Sequence, residues 1–325
     1  MKSRGSSVLG WMRRRAAWPR VSSVVHSLLR DGRQLFILAD ANLDQLDPRT
    51  PLCLAQANRA FLPLLENWLT RMCQLGVENL LVTALDREVF LFAKRQGVST
   101  IYCPSCGTRR IHRMKTRVVE HFLARGFDVV LSDVDAVWLK NCLDYLQAPE
   151  LERYDALFSI EYGYPKPLEQ AWGFVLCPGF YFIRSRAATR ELLGAWVDAQ
   201  RRRPNSHDQH ALNYLLYEAG ISWRVVQSRP LSDTGIAASA VQIYSEAMIE
   251  GAFSMGGHHY SVGALPLLQF RRGVFHAETE PYMAHIGSGP DVAAKIARLK
   301  EHEPPAWFLP TTDCYRASVR PPAGR

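Results

Sequence analysis

No run of 18 consecutive apolar residues occurs in this 325-residue sequence, so no segment is predicted to span a bilayer as a helix. Internal repeats are also missing, and no low-complexity linker interrupts Leu35 to Lys300, which argues for a single folded domain. Basic charge is scarce outside the N-terminal end. Residues 1–33 hold eight Lys and Arg side chains against Asp31, which accounts for +7 of the net +8. Nucleic-acid binders draw affinity from basic surface on the folded module, so no nucleic-acid partner is expected. Cysteine is sparse and irregular, seven in all. Cys103-Pro-Ser-Cys106 has the spacing of a redox pair or half a zinc site, but no second CxxC and no HxxxH completes four ligands. A structural disulfide or two free thiols is the expectation, and cysteine usage leaves the compartment open.

What is present reads as globular, at 47% hydrophobic and 22% charged. Three segments are expected. Residues 1–34 form a basic leader or tail, disordered or serving as a targeting or stem segment. Residues 35–303 form the domain, and 304–325, with five prolines, an irregular tail.

Within the domain, apolar runs alternate with amphipathic ones. Strands are predicted at Pro51–Ala55, Asn79–Ala84, Ser99–Tyr102 and Phe127–Leu131. Helices are predicted at Arg59–Leu75, Arg87–Gln96 (closed by Gly97) and Ile111–Arg125. In the last, Ile111, Met114, Val118 and Phe122 share a face, and Gly126 stops it. Further on, Asp155–Ile160 and Gly179–Arg184 read as strands, Ala187–Arg203 and His207–Ala219 as helices. Strand–helix–strand order of this kind implies an α/β fold with a mostly parallel, Rossmann-like sheet. Ligands in such sheets bind beyond the C-terminal strand ends, which here are Thr83–Asp86 and Ser132–Asp135.

The second of these ends carries the chemistry. Asp133 and Asp135 stand at i and i+2 directly after an apolar strand. Two carboxylates ~4–5 Å apart repel by ~3–4 kcal/mol at an effective dielectric near 20. A divalent ion relieves that repulsion, and hard oxygen donors favour Mn²⁺ or Mg²⁺. Such ions usually complete their shell with substrate phosphates, so a diphosphate ligand is expected. The same residues also fit a haloacid-dehalogenase-type phosphatase, in which Asp133 would be the nucleophile and Asp135 the acid/base. That chemistry places its motif on the first strand of the domain, whereas several strands precede it here. Adjacent His258 and His259 are not a metal pair, because neighbours on a strand point to opposite faces.

Taken together, several segments resemble the nucleotide-diphospho-sugar transferase family that includes plant rhamnogalacturonan xylosyltransferases. They are Ala57-Asn58, Glu66-Asn-Trp-Leu69, Val82-Thr-Ala-Leu-Asp86, Lys115, Leu131-Ser-Asp-Val-Asp-Ala-Val-Trp138, Gly179-Phe-Tyr-Phe-Ile-Arg-Ser185 and Asp208-Gln209. The likeness spans about three quarters of the chain, from Leu52 to Lys295. It implies a single domain of GT-A type. It also implies a nucleotide-diphosphate sugar donor, with uridine as the base, a glycan or glycoprotein acceptor, and a Golgi or secretory-pathway setting. By the same resemblance Ala57, Asn58, Thr83 and Asp86 lie around the nucleoside, and Asp133 and Asp135 reach ribose and metal. His285, or second His276, completes the metal shell, and Lys295 meets the diphosphate, with Lys115 or Arg113 as further cations. Two departures are visible: Cys177 and Gly287 stand where the family often has Asn.

Retention of anomeric configuration is implied as well. By the resemblance the Asp208-Gln209 pair contacts the transferred sugar or the acceptor, and retention requires either a carboxylate nucleophile, for which Asp208 and Glu161 are the candidates, or same-face attack in which the diphosphate takes the acceptor's proton. A non-catalytic module that binds glycan or nucleotide is the remaining alternative.

Overall fold

The computed structural model describes residues 26–30, 33–37, 39–104, 108–203, 207–226, 247–272, 281–287, 291–302 and 304–309. The chain begins with an antiparallel hairpin of β1 (His26–Arg30) and β2 (Arg33–Ile37), followed by a short β3 (Ala39–Ala41). The boundary expected at residue 34 therefore falls inside a hairpin. Residues 1–25, which carry most of the basic leader, lie outside the described set, as do Cys106 and His276.

Alternating strands and helices follow: β4 (Leu52–Ala57), α1 (Leu62–Gln74), β5 (Leu80–Ala84), α2 (Arg87–Arg95), β6 (Ser99–Tyr102), α3 (Thr108–Leu123) and β7 (Val129–Ser132). β4 pairs parallel with β5 and with β7, and β5 pairs parallel with β6. This is the parallel core that the sequence pattern predicts. Helix ends obey local rules. Asp86 accepts a hydrogen bond from Val89 N at 3.0 Å as the α2 N-cap, and Gly97, with φ of 75°, ends that helix where a side chain would be strained.

The second half adds β8 (Ala136–Trp138), α4 (Cys142–Leu146), β9 (Ala156–Glu161), α5 (Lys166–Trp172), β10 (Val175–Ile183), α6 (Ala187–Arg202) and α7 (Asp208–Glu218). Next come β11 (Ser222–Val226), β12 (Met248–Met255), β13 (His258–Ala264), β14 (Phe270–Arg272), β15 (Met283–His285) and α8 (Val292–Glu301). The main sheet runs β11-β12-β13-β9-β10-β7-β4-β5-β6-β3 and is mixed, since β10 joins both β7 and β9 antiparallel. A small second sheet, β14-β15-β8, stands beside it. β10 starts four residues earlier than the apolar pattern suggests, because a bulge between Cys177 and Tyr181 lets the strand resume its pairing past Pro178.

Alternation through the strands feeds two cores. Cys53, Ala55, Val82, Val130 and Phe180 face Leu65, Trp68 and Met72 of α1 and Phe90 of α2. Leu54, Leu81, Leu131 and Tyr181 face Phe122 of α3, Trp196 of α6 and Leu212 of α7. Strands buried on both sides must be apolar throughout, which explains their continuous apolar runs. Of the expected C-terminal tail, residues 304–309 are irregular yet docked. Asn67 on α1, fully buried, donates to Ala306 O at 3.0 Å and accepts from Phe308 N at 2.6 Å. Among the described residues no helix is long and apolar enough to cross a membrane.

Candidate active site

The turn between β7 and β8 carries Asp133 and Asp135 and is pinned from below. Ser132, fully buried, accepts hydrogen bonds from Trp68 Nε1 at 3.1 Å and Trp138 Nε1 at 3.2 Å, while its hydroxyl donates to Ala136 O at 3.0 Å. Asp133 N donates to Gly179 O at 2.7 Å, and Ile286 N donates to Asp135 O at 3.1 Å. These bonds tie the turn to both sheets. They bring His285, at the end of β15, next to Asp135, with Nε2 3.5 Å from Oδ1.

One donor atom each from Asp133, Asp135 and His285 lie within 4.8 Å of one another. Two carboxylate oxygens and one imidazole nitrogen suit Mn²⁺ or Mg²⁺ better than a thiolate-loving metal. Gly179 makes room for the arrangement. A Cβ there would lie 2.3 Å from His285 Cε1 and 2.9 Å from Asp133 Oδ2. Burial opposes ionisation of Asp135, but hydrogen bonds and charge from His285 and Lys295 hold its carboxyl far below the usual range. Burial likewise works against the charged form of His285, yet Asp135 pushes its pKa up to about 9. An incoming cation must displace that proton.

Lysines brace the carboxylates from both sides. Lys295 donates to Asp135 Oδ2 and, at 2.6 Å, to Gly287 O. Gly287, one of the two departures, thus contributes its carbonyl. Lys115 lies four residues after Ile111 on the core-facing side of α3 and is almost fully buried. Its ammonium donates to Asp133 Oδ1 at 3.2 Å and to Pro178 O at 3.1 Å, and forms an ion pair with Asp208 Oδ2 at 2.8 Å. Lys115, expected near the diphosphate, lines the cleft and is engaged by two carboxylates and a carbonyl. Burial disfavours its charge, but Asp133 and Asp208 keep the ammonium well above the ordinary lysine range.

Asp208 and Gln209 open α7 at the same cleft. Both Asp208 oxygens are engaged, Oδ2 by Lys115 and Oδ1 by His112 Nδ1 at 3.1 Å. Glu161 is engaged too, Oε1 by Gln209 Nε2 and Oε2 by Arg272 Nε. Arg272 also reaches Cys177 Sγ, which lies 3.8 Å from His285 Nδ1. The other departure, Cys177, thus sits behind His285.

The cleft that joins these groups has a volume of about 710 Å³. Of the site residues expected from the sequence, Lys115, Asp133, Asp135, Glu161, Asp208, Gln209, His285 and Lys295 line it. Arg272, His112, His207 and Tyr164 also line it, none of them marked by a sequence pattern. Ala57, Asn58, Thr83 and Asp86 stand at the C-terminal ends of β4 and β5, apart from these walls. Asn58 caps the Arg59–Phe61 turn, and Asp86 takes a further hydrogen bond from Arg59 N. Thr83 is buried, its hydroxyl without a hydrogen-bond partner among the described residues. Arg113 is not among the cleft walls. Cys103 is a buried free thiol. As the strand geometry predicts, His258 and His259 part company, to Glu191 and Ser254 respectively.

Among curated proteins, the chain is similar to a beta-arabinofuranosyltransferase of Arabidopsis thaliana, 32% identical over 159 residues, covering 44% of this chain and 29% of that protein. It is also similar to a UDP-D-xylose:L-fucose alpha-1,3-D-xylosyltransferase of the same plant, 28% identical over 188 residues, 49% of this chain and 48% of the relative. The chain thus spans less than half the length of both. Among solved structures, the glycosyltransferase GlyE of Streptococcus pneumoniae TIGR4 matches with a TM-score of 0.38 at 16% identity, over 51% of this chain and 43% of that one. The profile of nucleotide-diphospho-sugar transferases matches residues 75–299, which hold the aspartate turn, the cleft and the late histidine alike. The phosphatase alternative is not favoured: β7 follows three other strands of the parallel core rather than opening it, and the profile match runs straight through it. The chain belongs to the nucleotide-diphospho-sugar transferase family and has its α/β fold of GT-A type.

Proposed function

We propose that this protein transfers a glycosyl group from a UDP-sugar to a hydroxyl of a glycan or glycoprotein acceptor, with retention, using Mn²⁺ or Mg²⁺. The observation that carries this reading is the convergence of Asp133, Asp135 and His285 within 4.8 Å beside a glycine that leaves the space open. These three residues would hold the metal. When bound, it supplies Lewis-acid stabilisation for the charge that gathers on the departing diphosphate. Lys295 adds a charge-assisted donor on that side. The nucleoside is assigned to the β4 and β5 ends, over Ala57, Asn58, Thr83 and Asp86.

Retention by way of a carboxylate nucleophile is the weaker route. Ion pairing of Asp208 to Lys115 and His112, and of Glu161 to Arg272, draws charge from both carboxylates and lowers their nucleophilicity. Same-face attack asks for no such nucleophile. Asp208, Gln209 and Glu161 then serve by fixing the sugar through their rigid network. The relatives' printed activities, transfer of arabinofuranose and of xylose from UDP-xylose, make pentoses the first sugars to try. Family likeness also favours a secretory-pathway setting, Golgi included.

Screening UDP-xylose, UDP-arabinofuranose and UDP-hexoses with Mn²⁺, with and without a chelator, tests the reading through release of UDP. Turnover that is abolished by chelation and by Asp135→Asn supports it. Binding of UDP without any turnover would instead indicate a non-catalytic module. Release of inorganic phosphate from a simple ester would return the phosphatase.

A further inference from the structure

The solvent side of α7 is aromatic where a surface helix is ordinarily charged. Leu212, Leu215 and Leu216 turn inward and are buried. His207, His210, Tyr214 and Tyr217, at i, i+3, i+7 and i+10, share the opposite face, and each is at least partly exposed. From the first to the last of them the chain advances ~15 Å along the helix axis.

This row starts at the cleft. Tyr164 and His207 line that cavity, and Tyr164 is 48% exposed. Gln209 Nε2 donates to Tyr164 O, which ties the loop after β9 to the first turn of α7. The Tyr164 ring lies 5.7 Å from His210, and His210 lies 4.4 Å from Tyr214. Burial, then Arg203 and His207, hold His210 below the ordinary histidine value, so this ring is uncharged at neutral pH. Farther along, Tyr217 is 52% exposed and lies 6.2 Å from Trp172 at the end of α5. Trp172 in turn lies 5.6 Å from Trp223 on the edge strand β11. Val225 follows two residues later on the same face of that strand. The exposed large apolar side chains among the described residues are Tyr164, Tyr217 and Val225. All three belong to this one strip. Single exposed apolar side chains need no explanation, whereas a connected row marks a binding surface.

We propose that the strip is a subsite for the body of an oligosaccharide, so that the acceptor is a glycan chain of several sugars. This rests on the transferase reading above, same-face attack included, because the strip holds only the part of the acceptor remote from the reacting hydroxyl. Surface chemistry selects the occupant. A sugar ring turns a face of slightly positive C–H bonds to the negative face of an aromatic ring, while its hydroxyls reach sideways. Tyr and His carry O–H and ring-nitrogen groups at their edges to meet those hydroxyls. Single-stranded nucleic acid would also stack, but it needs a positively charged groove. Here Arg203, 5.1 Å over the Tyr214 ring, is paired with Glu218, Lys166 with Glu169 and Arg224 with Glu250. One ring per helical turn makes a strip and not a broad patch, which suits a chain better than a globular partner. Continuity with the cleft decides which chain it is: the one whose end reacts there.

Calorimetry on the full chain, with UDP and Mn²⁺ present, tests the subsite. The probes are xylo-, arabino-, galacto- and gluco-oligosaccharides, from single sugars to hexasaccharides. Wild type is compared with Tyr214→Ala, Tyr217→Ala and Tyr214→Phe, each also followed by a thermal melt and by light scattering. Wild type should bind at least one series more tightly as the chain lengthens. Each alanine variant should melt and bind UDP–Mn²⁺ as wild type does, yet lose about 3- to 10-fold in affinity for the longest chains. Tyr214→Phe keeps the ring and should keep the length dependence. No rise with length in any series, or a rise that both alanine variants preserve, would overturn the subsite. Self-association of wild type that Tyr217→Ala abolishes, without glycan binding, would overturn it too and give the strip to a second copy. Failure of wild type to bind UDP–Mn²⁺, read in a separate titration without sugar, would instead refute the underlying transferase reading.

Discussion

Gly179 and His285 approach so closely that a methyl group on the first would sit 2.3 Å from Cε1 of the second. Contacts between carbons are comfortable only at ~3.5–4.0 Å, so one of the two must move. Gly179 lies in β10 and is fixed through its carbonyl to Asp133 N, which leaves the imidazole to yield. Gly179→Ala is therefore expected to keep the fold and to weaken Mn²⁺ binding at least ~10-fold, since a misplaced ligand is a lost ligand. Calorimetric titration with Mn²⁺, beside a thermal melt of the metal-free protein, reads both quantities. Unaltered affinity would mean that His285 is no ligand.

Asp208 yields a pH prediction. Its folded pKa lies below the unfolded value of about 3.9, so its ion pairs stabilise the fold in full above about pH 5. As pH falls through the unfolded value toward the folded one, that contribution is lost. Asp208→Asn should thus melt below wild type at neutral pH, with the gap closing on acidification. Paired thermal melts from about pH 7 to about pH 3 check the sign. A gap that widens in acid would contradict the assignment.

Ser132 serves two indoles at once. Replacing it by alanine strands the N–H groups of Trp68 and Trp138, both fully buried. Each orphaned buried donor costs about 1–3 kcal/mol, so Ser132→Ala should lose about 2–6 kcal/mol in urea unfolding. Turnover should fall as well, because the aspartate turn loses its anchor.

Asn67 holds the segment 304–309 against α1 through two hydrogen bonds. Asn67→Ala removes both and leaves a cavity under Ala306. Stability is expected to drop by roughly 2–3 kcal/mol, and limited proteolysis should cut earlier near residue 303 than in wild type. Identical proteolytic patterns would show that the segment holds by its apolar contacts alone.

The parallel core was legible because strands buried on both faces are apolar runs, and because helix ends carry their own signals at Asp86, Gly97 and Gly126. Every strand and helix boundary from β4 to β7 lies within three residues of its expected place. Asp133 and Asp135 were legible for the same reason: charge directly after such a run has to be at a strand end. His285 was reached only through family likeness, as nothing in its neighbourhood advertises a metal. Arg272, His112 and His207 were out of reach. Their partners lie 111, 96 and 95 positions away in the chain, and a tertiary contact between lone polar side chains has no period to read. The two carboxylates around Lys115 were equally out of reach, because a lysine on an apolar helix face gives no hint of how many anions await it.

The two indoles that grip Ser132 also make the protein its own spectroscopic probe. Trp68 and Trp138 are sealed from water, so a soluble quencher such as iodide has no path to their rings. A paramagnetic ion seated one residue beyond the serine they hold would quench their emission from within. Manganese bound at the proposed site would thus be followed on the unlabelled chain by light alone.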